Sequence, residues 1–259
     1  MTDAVGKIPP PDMDVEAVFN DFVEDFGGEL ISKHFAGKGH TPLNADYFLR
    51  DRTVVAELKC LEKDYFSNRR VGEKVDALLN KWAGAGRIRP EHFVNGQLQI
   101  NSIGRDCALE VFKVFYQPVM EAVKKADKQI KETKRHFNLP DAKGLLILAN
   151  DGNYSLSPEL TMNILGNLLP NQFTGIDSFI YFTPNMRFAS PKVDRQVHVW
   201  ISGPSRPTAN AVESEYLTQI QEAWASYLAR IEGEEVTTFT EEDHDSLSQF
   251  KFIKDGNKS

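Results

Sequence analysis

From Asp14 to Phe26 the apolar residues Val15, Val18, Phe19, Phe22 and Phe26 recur at helical spacing. Asp14 is placed to cap such a helix, and Gly27-Gly28 to stop it. Glu29 to Phe35 reads as a first strand, and Gly37-Lys38-Gly39 as a flexible link. Two runs follow, Asn44 to Arg50 and Thr53 to Leu61, rich in β-branched and aromatic residues and separated only by Asp51-Arg52. So short a gap between extended runs predicts a hairpin. Period-2 alternation puts Val54, Ala56, Leu58 and Cys60 on one face of its second strand. Val55, Glu57, Lys59 and Leu61 fall on the other.

The pattern weakens over residues 62–105. Val75 to Trp82 fits a short helix, Gly84 to Pro90 a loop carrying Arg87 and Arg89, and Phe93 to Ile100 a hairpin turning at Asn95-Gly96. Asp106 to Phe137 is a long helical stretch containing Pro118. A kink or restart is expected there, because an interior proline costs about 3 kcal/mol. Beyond it, Val119, Val123, Ala126, Ile130 and Phe137 form an apolar stripe. After Pro140, Gly144 to Ala149 is wholly apolar, as in a strand covered on both faces. Helices over Pro158–Leu169 and Thr208–Ile231 alternate with strands over Ser178–Thr183 and Gln196–Ser202. The last helix carries Leu217, Ile220, Trp224, Leu228 and Ile231 on one stripe. This order predicts an α/β fold, a mixed β-sheet flanked by helices.

The hairpin also carries charge where a packing strand would not. If the turn is symmetric about Asp51-Arg52, Arg50 pairs with Thr53 and Asp46 falls directly opposite Glu57. Directly opposed Cβ atoms lie about 4.5–5.5 Å apart, and like charges there repel. Two carboxylates and the Lys59 amine thus converge between aliphatic neighbours, and a divalent cation would relieve the repulsion. The alternative is a solvated salt-bridge cluster on an exposed strand face.

Composition changes this picture little, and charge rather more. A chain of 259 residues can bury a substantial core. No run of about 18 apolar residues is present, so no membrane partner is expected. The N-terminus lacks an apolar signal core, and only Cys60 and Cys107 are present. Both points favour the cytoplasm over a disulfide-forming compartment. Residues 1–13 are expected to be a flexible N-terminus, 14–232 one α/β domain with an insertion at 62–105, and 233–259 an acidic tail. The net charge of −7 is concentrated: Glu232, Glu234, Glu235, Glu241, Glu242, Asp243 and Asp245 include no base among them. Removing these seven from the 37 acidic residues leaves 30, matching the 30 lysines and arginines. The body of the chain can therefore still present a basic face. Lys124, Lys128, Lys131 and Arg135 recur along one flank of the long helix, as a phosphate-binding ridge or as an ordinary solvated face.

Asp46 followed by Glu57-Leu58-Lys59 on the next strand resembles the D…(D/E)xK motif of the PD-(D/E)XK nuclease superfamily. The proline of that name is absent, since Asn44 and Ala45 precede Asp46. The family core of helix, three antiparallel strands, helix and further strand matches the order predicted from Asp14 to Ala149. The later strands and helix would be a C-terminal α/β elaboration of this restriction-endonuclease-like fold. The resemblance implies an endonuclease hydrolysing DNA with Mg²⁺ or Mn²⁺ held by Asp46, Glu57 and the Leu58 carbonyl. Lys59 would position or deprotonate the attacking water. A first-helix glutamate often reaches the metal in this family, which points to Glu16, with Glu24 as the alternative. A polar residue of the long helix often joins the site, which points to Gln129. Many members are homodimers. Arg69, Arg70, Arg87 and Arg89 in the insertion are further candidate DNA contacts. The rival reading is a non-catalytic nucleic-acid- or protein-binding module of the same fold. The histidines add little: His34 and His40 have no Cys or His partners at zinc spacing, and His198 reads as a core residue.

Overall fold

The computed structural model describes residues 13–37, 44–62, 69–94, 97–98, 102–186, 188–190, 193–207, 210–233 and 251–252. Helix α1 (Val15–Asp25) begins where its cap predicts, with the Asp14 carboxylate accepting from the Ala17 N–H at 3.0 Å. The first strand is much shorter than expected. Strand β1 is only Glu29–Leu30, and Ile31–Phe35 winds into a 3₁₀ helix. A continued strand would put Ile31, Lys33 and Phe35 on one face. The helical turn instead buries Ile31 and Phe35 and leaves Lys33 exposed, paired with Glu24. The glycine-rich link at 38–43 lies outside the described residues.

The hairpin forms as β2 (Tyr47–Leu49) and β3 (Val54–Cys60), paired Tyr47 to Ala56, Phe48 to Val55 and Leu49 to Val54. Its turn closes through Thr53 N–H to Arg50 O at 3.1 Å. Asp51 and Arg52 both have positive φ, 52° and 64°, as a type I′ turn requires, and Arg50 shares that conformation at 47°.

The insertion contains helix α2 (Arg69–Gly84), twice the expected length, and the two-residue strands β4 (Phe93–Val94) and β5 (Gln97–Leu98). Residues 95–96, where the Asn-Gly turn was expected, lie outside the described residues. Helix α3 (Arg105–His136) runs through Pro118 as one element, with no restart. Trp82, Ile88, Ile103 and Cys107 form a small core of their own between α2 and the start of α3.

Strand β6 (Lys143–Ala149), helix α4 (Pro158–Gln172) and strand β7 (Ser178–Phe182) follow as expected. The single strand expected over Gln196–Ser202 is two. After β8 (Phe188–Ser190), β9 (Val193–Val197) stays with the hairpin strand β8, while β10 (Trp200–Pro204) joins the main sheet beside β7. Thr183 holds the corner between them. Its hydroxyl accepts from the Val199 N–H at 2.9 Å, and its carbonyl lies 2.8 Å from His198 Nδ1. Helix α5 (Ser214–Glu232) starts six residues later than its apolar stripe suggested. Strand β11 (Lys251–Phe252) pairs antiparallel with β8, so the segment read as an acidic tail contributes to a three-stranded sheet. The seven acids from Glu232 to Asp245 otherwise lie beyond description except for the backbone of Glu232.

The main sheet has the order β1-β2-β3-β6-β7-β10. Its β3-β6 and β6-β7 pairs are parallel, the rest antiparallel. Val55, Leu146 and Leu148 face Val119, Val123, Ala126 and Ile130 of α3 together with Ile164 and Leu168 of α4. Val54, Ala56, Leu58, Leu145 and Ile147 face α1 and α5 across the other side. Ile231, the last residue of the α5 stripe, is half exposed. The molecule is a mixed α/β protein with helices on both faces. From Val15 to Ala149 the order is helix, three antiparallel strands, helix and a parallel strand, with α2 to β5 inserted. Among the described residues, no helix is long and apolar enough to cross a membrane.

Candidate active site

β2 pairs with β3 in the register that the symmetric turn predicts as far as Tyr47. Beyond it, the Asp46 N–H bonds the carbonyl of Ala56 at 3.2 Å and its carboxylate accepts from the N–H of Leu58, the two residues that flank Glu57. The Asp46 and Glu57 side chains lie on the α3 face of the sheet with Lys59 two residues on. Glu57 is completely buried, whereas Asp46 and Lys59 are half-buried at the rim, so solvent reaches the group from their side.

Three interactions organise the group. One Asp46 carboxylate oxygen accepts from the Leu58 N–H at 2.9 Å. Lys59 Nζ forms an ion pair with Glu57 Oε1. The Asp46 charge lies close enough to Glu57 to disfavour ionising both carboxyls together. Burial, followed by the Asp46 charge, pushes the Glu57 carboxyl up to about 8, against the pull of Lys59. Burial also raises Asp46, opposed by the Leu58 N–H and Lys59. Glu57 Oε2 is buried with no hydrogen-bond partner in the structure. In a strand the N–H and C=O of one residue point to the same side, so the Leu58 carbonyl turns towards Asp46 with its N–H.

Tested against a magnesium site, this donor set fits. Mg²⁺ takes one or two protein carboxylates and fills the remaining positions with water and substrate phosphates. Two carboxyls, one orphaned oxygen and one backbone carbonyl supply that number. Among the described residues no group of three or more His, Cys, Asp or Glu side chains is placed to hold a metal ion.

No family model, no curated protein and no solved structure matches this chain.

The other candidate residues lie further out. Glu16 is exposed on α1, which packs on the opposite face of the sheet from Glu57. Its charge is felt by the Cys60 thiol, which burial, Asp151 and Glu16 raise to about 12, and by the Tyr47 phenol, which burial pushes up. It therefore sits at the Cys60 end of β3, and among the described residues it makes no hydrogen bond to either carboxyl. Glu24 is at the far end of α1, bound to Lys33. Lys124, Lys128, Lys131 and Arg135 are all exposed on α3, but Lys131 pairs with Asp127 at 2.7 Å and Arg135 with Glu132. In the insertion, Arg69 binds Glu73, Arg87 binds Asp106 and Arg89 lies 3.5 Å from Glu91. All three pairs are largely solvent-exposed, and only Arg87 meets an acid distant in sequence, Asp106 on α3. The side chain of Arg70 lies outside the description.

Gln129 does reach the site, though indirectly. Its Nε2 donates to the Asn44 carbonyl at 2.9 Å. One helical turn on, the buried Thr133 Oγ1 accepts from the Ala45 N–H at 2.7 Å. Thr133 was not singled out from sequence, although a signal exists. It interrupts the apolar series Ala126, Ile130, Phe137 with a hydroxyl on the buried stripe. Asn185 is a second such residue. It brackets the Met13 backbone, donating to its carbonyl at 2.8 Å and accepting from its N–H at 3.3 Å, and also donates to Asp151 at 2.6 Å. That bracket fixes the entrance of α1 at the carboxyl end of the parallel strands.

Proposed function

We propose that this chain is a metal-dependent nuclease of the PD-(D/E)XK type, hydrolysing DNA phosphodiester bonds at Asp46, Glu57 and Lys59. The observation that carries the reading is the orphaned Glu57 oxygen. A buried carboxylate oxygen without a partner is costly, and pairing it with a second carboxyl raises that cost. A packing residue at this position would be apolar, and a solvated salt bridge would not be buried. Asp46, Glu57 and the Leu58 carbonyl would hold Mg²⁺ or Mn²⁺. When bound, the ion would supply acidification of a water and neutralisation of charge on the departing phosphate.

Each protein group then has a separate task. Asp46, anchored by the Leu58 N–H, keeps its second oxygen for the cation. Glu57 presents Oε2 from below. Lys59, whose Nζ is partly open to solvent, holds the attacking water or takes its proton. Lys124 and Lys128 would meet phosphate backbone, with an affinity that falls as salt rises.

Calorimetry with Mn²⁺ tests the reading directly. One site is expected in the wild type and none in Asp46→Ala or Glu57→Gln, with far-ultraviolet circular dichroism unchanged. Cleavage of single-stranded, duplex or branched DNA with Mg²⁺ or Mn²⁺ should disappear in the same variants and in Lys59→Ala. Absence of both metal binding and cleavage in the wild type would overturn it. DNA binding without a metal site would instead identify a non-catalytic binding module.

A further inference from the structure

Two residues, Asn44 and Ala45, separate the candidate carboxylate Asp46 from the undescribed segment that ends at residue 43, and its own strand begins only at Tyr47. Asp46 is thus held on one side by β-pairing and on the other by something else. The Asp46 N–H bonds the Ala56 carbonyl at 3.2 Å, and its carbonyl accepts from the Ile31 N–H at 2.8 Å. Before it, Ala45 and Asn44 have no strand partner among the described residues. Their backbone groups go to one helix: Ala45 N–H to Thr133 Oγ1 at 2.7 Å, and Asn44 carbonyl to Gln129 Nε2 at 2.9 Å. Both partners lie on α3, more than eighty positions away in the chain, and Thr133 is completely buried.

We propose that Thr133 and Gln129 are positioning residues that set the metal affinity of the Asp46–Glu57 pair by clamping Asn44-Ala45 onto α3. The inference rests on the metal-site reading above and adds residues that touch neither the carboxylates nor a substrate. Its physical basis is leverage. Ala45 is buried, so its N–H needs a partner, and β2 begins only at Tyr47. The Thr133 hydroxyl supplies it and thereby fixes the peptide plane that immediately precedes Asp46. Glu57 needs no such help, being central in β3 with pairing to β6 on its other side. The two carboxyls are thus held by different means, one by the sheet and one by the helix. Outer-shell partners that orient a ligand typically affect metal affinity by 10–100-fold.

The test uses the full chain and two readouts. Mn²⁺ affinity is measured by calorimetry in Thr133→Val, Thr133→Ser and Thr161→Val. The last removes a buried hydroxyl that bonds the Ser157 carbonyl, away from the hairpin. Thr133→Val should weaken Mn²⁺ binding about tenfold. Thr133→Ser should restore it to within about twofold, and Thr161→Val should leave it alone. Unchanged binding in Thr133→Val, or equal weakening in Thr161→Val, overturns the proposal. If Thr133→Val does not fold, Gln129→Met takes its place, and wild-type affinity there overturns the clamp. The second readout needs no metal. Amide exchange at Leu58, whose N–H is bonded to Asp46, should accelerate in Thr133→Val and not in Thr133→Ser. A wild type that binds no Mn²⁺ defeats the nuclease reading, and the exchange rates alone then decide the clamp: equal rates in all variants refute it.

Discussion

At the scale of single residues, the hairpin turn shows how local strain serves a distant register. Arg50, Asp51 and Arg52 all adopt left-handed backbone, which costs L-residues roughly 1–2 kcal/mol each. The turn is held by its side chains. Arg52 binds Glu29 through two nitrogens at 3.0 and 2.7 Å and lies over Phe48. Arg50 reaches Glu213 at 2.5 Å and lies over Tyr216. Lys143 joins from the other side at 2.7 Å, and these cations hold the Glu213 carboxyl down at about 2. Asp51 makes no such contact with the body and gains nothing for its strain. Replacing it with glycine should raise stability by about 0.5 kcal/mol, the left-handed cost less the added freedom of the unfolded chain. Asp51→Val should lower it by more than about 1 kcal/mol. Urea denaturation of the two variants checks the pair, and a stabilising valine would contradict it.

At the scale of elements, the densest junction is where β6 enters the sheet. Gly144 is buried beside the loop between α4 and β7, and a Cβ there would stand 1.8 Å from the Gly175 carbonyl oxygen. Its N–H donates to Asp177 Oδ2 at 2.8 Å, and Asp177 also takes Lys134 at 3.3 Å and Arg206 at 3.4 Å. Gly175 is fixed in turn by Asp127, whose carboxylate accepts its N–H at 2.7 Å. Backbone must move to admit even a methyl group. Gly144→Ala is therefore expected to cost on the order of 3 kcal/mol, beyond ordinary overpacking, by loss of thermal midpoint. A midpoint within a degree of wild type would refute the close approach. The same scale explains Pro118. Helix α3 packs on α2 before it and on the sheet after it, and these two faces hold the helix continuous where propensity would break it.

At the scale of the whole molecule, the buried Glu57 carboxyl links pH to stability. Glu57 has an ordinary value near 4.5 and a folded value of about 8, so between these the folded state keeps a proton the unfolded state has lost. Stability then falls as pH rises through that window and is complete only below it. Metal-free wild type should lose stability from about pH 4.5 to pH 8 relative to Glu57→Gln, which does not titrate. Under the proposed metal site, Mn²⁺ would displace the Glu57 proton and stabilise the protein more at pH 8 than at pH 5. Chemical denaturation across pH, with and without Mn²⁺, measures both. A constant difference between wild type and Glu57→Gln would show that Glu57 does not hold its proton across this window.

The sequence alone determined the features that depend on neighbours in the chain. Apolar period and capping residues placed most helices and strands, and the two-residue turn set the arithmetic that opposes Asp46 to Glu57. It also showed that Glu57 and Lys59 share a face. Tertiary structure decided whatever depends on partners far away. A strand can extend only as far as its neighbour, so β1 stops after Leu30, and β9 and β10 separate at a corner that Thr183 holds. An arginine's availability depends on which acid faces it, and Arg87 of the insertion faces Asp106 on α3. Burial itself is a property of the assembled sheet: only with α3 in place does Glu57 become a carboxylate without water, and only then do Thr133 and Gln129 reach the two residues before Asp46.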